Sequence, residues 1–153
     1  MNMFDEIISL REQLNTKLKT FGKEAFIEGF APFFAANPDV EGVLWEQYTP
    51  YFNDGDTCEF GVREPIVILN EATARSIRPD GEWDEDNEYF AMEHPRCFEE
   101  YDLCETPYDF KNTGFHDLWQ KIPEEIFKSV FGDHVQVRIM RDGTVEVEEY
   151  EHD

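Results

Sequence analysis

Apolar residues recur along this chain first with a helical period and then with a strand period. Phe4, Ile7, Leu14, Leu18, Phe21 and Ala25 follow alternating steps of three and four, Arg11 occupies the one polar step, and Ile8 and Phe26 widen the stripe. Such spacing gathers side chains on one helical face. Gly22 is expected to bend or split the segment, because glycine is a weak helix former. A second helical stretch runs from Lys23 to about Asn37 and carries Phe26, Ile27, Phe30, Phe33 and Phe34. Pro32 lacks a backbone donor and should kink or tighten the last turn. Asn37 followed by Pro38 ends the segment.

The period then shortens to two. Val43, Trp45, Gln47 and Thr49 alternate with Leu44, Glu46 and Tyr48, and residues 58–69 contain Phe60, Val62 and the apolar group Ile66, Val67, Ile68 and Leu69. Between the two runs, residues 52–56 read FNDGD, a turn composition that tolerates positive φ. A β-hairpin is predicted, with Pro50 and Pro65 at strand ends, bulges or edges because neither can donate to a ladder. Residues 70–114 lack clean periodicity and read as a long acidic insertion with short helices near 71–77 and 98–104. Helical spacing returns at Phe115, Leu118, Trp119, Ile122, Ile126, Phe127, Val130 and Phe131, divided by Pro123 and stopped by Gly132. A second hairpin follows, with Val135, Val137 and Ile139 on one arm, Val145 and Val147 on the other, and Asp142 and Gly143 at the turn. The order predicts one α+β domain over residues 1–153. An antiparallel sheet of about four strands from two hairpins should pack with a two-part N-terminal helix and a C-terminal helix.

Charge sharpens this picture. The formal net charge is −22 over 153 residues, and residues 79–110 hold twelve acids against the single base Arg96. The first 37 residues carry five acids and four bases. A surface this negative repels nucleic acid and anionic membrane and attracts cations and basic proteins. Fourteen Phe, six Tyr and three Trp are too many for a disordered acidic tail, so a folded core is expected inside a charged shell. No run of eighteen apolar residues suggests a membrane span, and the first residues lack the basic region of a signal peptide. Three cysteines, an odd number, fit reduced thiols in the cytoplasm better than a disulfide framework.

Candidate chemistry is sparse. Asn53, Asp54, Asp56 and Glu59 surround the first turn and form the alternative site, for a divalent-cation-dependent enzyme or metal-binding domain, since hard cations want clustered oxygens. The EF-hand spacing is absent, and a self-satisfied hairpin turn is the plainer expectation. His94, Cys97, Cys104 and His116 supply zinc-type donors at poor spacing. No GxSxG, P-loop or dinucleotide-binding glycine pattern occurs, so no catalytic residue and no cofactor is implied. The acidic stretch is the favoured site. Asp80, Glu82, Trp83, Asp84, Glu85, Asp86, Glu88, Glu99, Glu100 and Asp102 are expected to form a partner-binding face. There, carboxylates would imitate phosphates in a basic groove of a partner protein, and interleaved aromatics would anchor the contact.

Two stretches, residues 45–60 (WEQYTPYFNDGDTCEF) and residues 131–150 with FGDHV, RDG and VEEY, resemble those of a family of small acidic proteins of bacteria and their phages. The resemblance covers about a quarter of the chain and lends no activity or catalytic residue. A phage setting implies binding and inhibition of a host nucleic-acid enzyme. Separately, the spacing 4-7-11-14-18-21-25 fits a heptad seam and would allow homo-oligomers through the N-terminal helix. Three heptads are marginal for a coiled coil, so packing against the chain's own sheet is the expectation.

Overall fold

The computed structural model describes residues 2–51, 55, 57–81, 83, 94–99, 111 and 113–151. Helix α1 (Met3–Ala36) opens on a reciprocal cap: the Asn2 side chain accepts from the Asp5 amide at 2.9 Å, and the Asp5 carboxylate accepts from the Asn2 amide at 3.4 Å. It closes on Asn37, which is buried; its amide donates to Phe33 and Phe34, and its side chain donates to the carbonyls of Phe33 and Lys111.

The expected break at Gly22 does not occur; α1 is one element of 34 residues. An interior glycine costs a helix only ~1 kcal/mol, and here it permits a close approach. A Cβ at Gly22 would sit 2.7 Å from a Val130 methyl, so the bare backbone is what lets α1 meet the C-terminal helical segment. A second expectation also fails. Phe26, Phe30, Phe33 and Phe34 pack on the sheet, but Met3, Phe4, Ile7, Ile8, Leu10, Leu14 and Phe21 are all more than half exposed. The stripe changes phase at Gly22. Continuing the 4-7-11-14-18-21 seam leads to Ala25, Glu28 and Pro32, which are exposed, whereas the buried positions are 22, 26, 30, 33 and 34.

The strands are β1 (Val40–Tyr48), β2 (Gly61–Val62), β3 (Ile66–Leu69), β4 (Cys97–Phe98), β5 (Val135–Met140) and β6 (Val145–Glu149). They form one antiparallel sheet in the order β4-β3-β1-β5-β6, with β2 also paired to β1. Both predicted hairpins are present. Among the described residues, six strands replace the expected four for two reasons. The return arm of the first hairpin is cut in two at Pro65, and residues 97–98 pair with β3 where a short helix was expected near 98–104; residues 100–104 lie outside the described residues. The cut is a bulge. Three steps along β1, from Gln47 to Leu44, are matched by four on the other arm, from Val62 to Ile66.

A compensating irregularity lies between Val40 and Gly42. Period-two geometry would put Val40 and Val43 on opposite faces, yet both enter the same core, because the extra residue flips the alternation. That core lies between the sheet and a layer made of the second half of α1, α3 (Phe115–Lys121) and α4 (Glu124–Phe131). Trp45 is its centre, with ring centroids of Phe26, Phe30, Trp119, Phe127 and Phe131 within 5.0–6.2 Å. The opposite sheet face carries a smaller buried cluster of Leu44, Ile66, Ile68 and Cys97. Helix α2 (Glu71–Ile77) falls where the sequence predicts it, and Asn70 caps it by accepting from the Thr73 amide at 2.8 Å. Among the described residues no helix is long and apolar enough to cross a membrane.

Candidate partner-binding surface

The start of the acidic stretch is fixed to the body by arginines. Arg78, which ends α2, donates to the carbonyls of Pro95 at 3.3 Å and Cys97 at 2.9 Å, and its guanidinium lies 3.9 Å from the Phe98 ring centre. Arg75 pairs with Glu71 one turn back at 2.8 Å and stacks on Trp83 at 4.3 Å. The Trp83 indole donates to the Arg78 carbonyl at 3.2 Å, and its ring meets His94 edge-on. Trp83 is therefore half-buried and pinned, with one ring face taken by Arg75.

Arg96 is the only base in residues 79–110, and it is turned inward. It is 7 % exposed, and its Nε donates to the Leu69 carbonyl at 2.7 Å. Burial lowers its pKa, opposed by the charges of Glu41 and Glu71. The pattern is general: six of the seven arginines, all but Arg11, donate to side chains or carbonyls of this chain. Arg138, buried on β5, binds Glu146 at 2.6 Å and Glu148 at 2.5 Å on β6. Arg141 Nε donates to the Val40 carbonyl at 2.8 Å. Acids, by contrast, face water: Glu59, Glu64, Asp80, Glu99, Asp117 and Glu125 are exposed.

Of the ten residues predicted to face a partner, Asp80 and Glu99 are exposed and Trp83 is half-buried. Glu82, Asp84, Glu85, Asp86, Glu88, Glu100 and Asp102 lie outside the described residues. Asn53, Asp54 and Asp56 of the alternative cation turn also lie outside them. Glu59 is exposed and lines a shallow cleft of about 260 Å³ with Tyr48, Pro50, Arg63 and Glu124 among others. Among the described residues no group of three His, Cys, Asp or Glu side chains could hold a metal ion. His94 and Cys97 are buried, His116 is exposed on α3, and Cys104 is outside the described residues. Burial holds the His94 pKa below the usual histidine value, against the pull of Glu71.

The sequence reading of residues 45–60 missed a polar device in the core. Gln47 is fully buried; its carbonyl accepts from the Trp45 indole at 2.9 Å, and its amide donates to the carbonyls of Phe127 at 3.0 Å and Gly132 at 2.6 Å. This ties the end of α4 to β1 and satisfies a carbonyl that the helix end leaves open. Next to it, Asp133 accepts from the Thr49 hydroxyl at 2.7 Å and from the amides of Thr49 and His134 at 2.8 Å each. Burial would raise the Asp133 pKa, but these donors outweigh it and hold the carboxyl below its ordinary value. A glutamine on the apolar face of a strand and a Gly-Asp pair after a helix were the available signals. Residues 45–49 of that segment, in short, form a structural joint. The chain matches no known protein-family model, no curated protein and no solved structure.

Proposed function

We propose that this chain is a non-enzymatic acidic binding protein that engages a basic surface of a partner protein, acting as a nucleic-acid mimic that inhibits a nucleic-acid-binding protein. The observation that carries the reading is the unequal disposition of charge. Residues after 37 hold a net −21 of the total, and the arginines among them are committed to contacts within the chain. The field at a distance follows the net charge, and a net −21 leaves the carboxylates to set it. Asp80 lies two residues beyond Arg78 and Glu99 directly follows Phe98, and Arg78 braces α2 to residues 95–98, so at least these two exposed carboxylates adjoin a braced unit.

Affinity capture from host lysate, eluted in salt steps, tests the reading. Basic proteins should be retained at low salt and released as salt rises, because exposed charge pairs are screened within a Debye length. DNA should compete with the chain for the same protein. Retention of no basic protein at low salt, or simultaneous binding of chain and DNA, overturns it. The cation alternative is separated by calorimetry with calcium, magnesium and manganese. Heat, together with a rise in Tm, would favour that alternative, since a ligand that binds only the native state must stabilise it.

A further inference from the structure

We propose that the first half of α1 is the dimerisation element of this chain, and that two copies pair through it in antiparallel orientation. Seven large apolar side chains between Met3 and Phe21 are 51–76 % exposed. At such exposures they present on the order of 800 Å² per chain, about one side of a standard protein interface and beyond what monomers usually leave in one patch. Their arrangement selects the occupant. With ~100° per residue, Met3, Phe4, Ile7, Ile8, Leu10, Leu14, Leu18 and Phe21 fall within one arc of about 160°. Phe4, Ile7, Arg11, Leu14, Leu18 and Phe21 keep the 3-4 alternation of a seam that meets another helix of the same kind. Because the stripe changes phase at Gly22, this face is turned by about 100° from the one that α1 presents to its own sheet.

Charge sets both the partner and the direction. Residues 3–21 contain Asp5, Glu6 and Glu12 against Arg11, Lys17 and Lys19, a net of zero in a chain of −22. Through this segment two copies approach without the strong repulsion that the acidic bodies exert. Acids lead at the N-terminal end and bases follow, so reversing one helix sets Asp5 and Glu6 beside Lys17 and Lys19 of the other, with Phe4 opposite Phe21 and Arg11 opposite Leu14. The same reversal places the two acidic bodies at opposite ends of a paired rod ~28 Å long, well beyond the screening length at physiological salt. A parallel pair would hold them side by side. Arg11 is the polar interruption that fixes register, its stem covering apolar surface while its head reaches water.

Sedimentation velocity of the full chain at ten to one hundred micromolar tests the proposal. A species of twice the chain mass is expected at physiological salt and should weaken near 10 mM salt, where a screening length of about 30 Å spans the rod and the bodies repel, the opposite salt dependence to the proposed basic-partner complex. Leu14→Glu, at an exposed position, should weaken association at least ~100-fold while leaving the near-ultraviolet circular dichroism of the Trp45 core unchanged. Under mild oxidation a mixture of Phe4→Cys and Phe21→Cys chains should give a 4–21 disulfide in peptide maps, and Phe21→Cys alone should give no 21–21 product. A wild-type monomer throughout this range, a dimer indifferent to Leu14→Glu, or a 21–21 disulfide would overturn the proposal.

Discussion

Replacing Gln47 by leucine should be among the most damaging single changes in this chain. Leucine fits the volume and gains ~1 kcal/mol of apolar burial, but all three hydrogen bonds of the amide disappear. The Phe127 carbonyl keeps its bond within the helix. The Trp45 indole N–H and the Gly132 carbonyl lose a partner in the core. Two orphaned buried groups cost ~1–3 kcal/mol each, which leaves a net loss of ~3 kcal/mol, a large share of the ~5–15 kcal/mol typical of a domain. With a urea slope of ~2 kcal/mol/M for a chain of this size, the unfolding midpoint should fall by ~1.5 M with the slope unchanged. Gln47→Glu supplies the control. It retains an acceptor for the indole but points a carboxylate at two carbonyl oxygens, so it should be at least as harmful at neutral pH and partly recover as acid protonates it. A midpoint shift below ~0.5 M for Gln47→Leu would show that the joint between β1 and α4 does not depend on this amide.

Other consequences are as direct. Gly22→Ala gains ~1 kcal/mol of helix propensity and meets Val130 at 2.7 Å, a clash worth ~1–3 kcal/mol in a packed region; chemical denaturation should show a net loss, recovered in part by adding Val130→Ala, and a more stable Gly22→Ala chain would refute the contact. Asp133 has a lowered pKa in the folded state, so its contribution is complete above the ordinary aspartate range and is lost as pH falls below about 4. Asp133→Asn should therefore cost ~1 kcal/mol at pH 7, and the gap to wild type should narrow as pH falls below about 4; a gap independent of pH would count against the assignment. Burial and the Glu46 carboxylate push the Tyr150 hydroxyl up to about 12, so an ultraviolet titration should show a late tyrosine ionisation that Tyr150→Phe removes.

Much of the architecture follows from periodicity, because burial itself imposes the periods. The alternation at 43–49 and 135–147 reports faces of one sheet, and the Phe115–Phe131 spacing reports helices laid on it. What escaped detection is instructive in particular cases. The phase slip at Gly22 was present in the sequence as the change from 18-21-25 to 26-30-33, but a stripe read as continuous suggests one apolar face, all of it buried, instead of an exposed one followed by a buried one. The bulges at residues 63–65 and at Glu41 exchange faces without altering composition, so alternation alone does not reveal them. Strand β4 has two residues, too few for any pattern. Gln47 sits at an apolar position of a strand, where only the carbonyls of an element eighty residues away explain it. Charge excess, by comparison, is legible from composition, whereas the inward commitment of Arg78, Arg96 and Arg138 requires the fold.

Among the described residues β6 is a border strand of the sheet, and Glu146 and Glu148 form a short row of carboxylates on one of its faces. Stacking a second sheet against that border would bring two such rows together within ~5 Å. Growth into fibrils is thereby opposed by the same residues that hold Arg138, and the safeguard is their charge. Replacing Glu146 and Glu148 by glutamine should remove it, so thioflavin-positive aggregates are expected to accumulate in concentrated solutions of that variant, while those of the wild-type chain should stay clear.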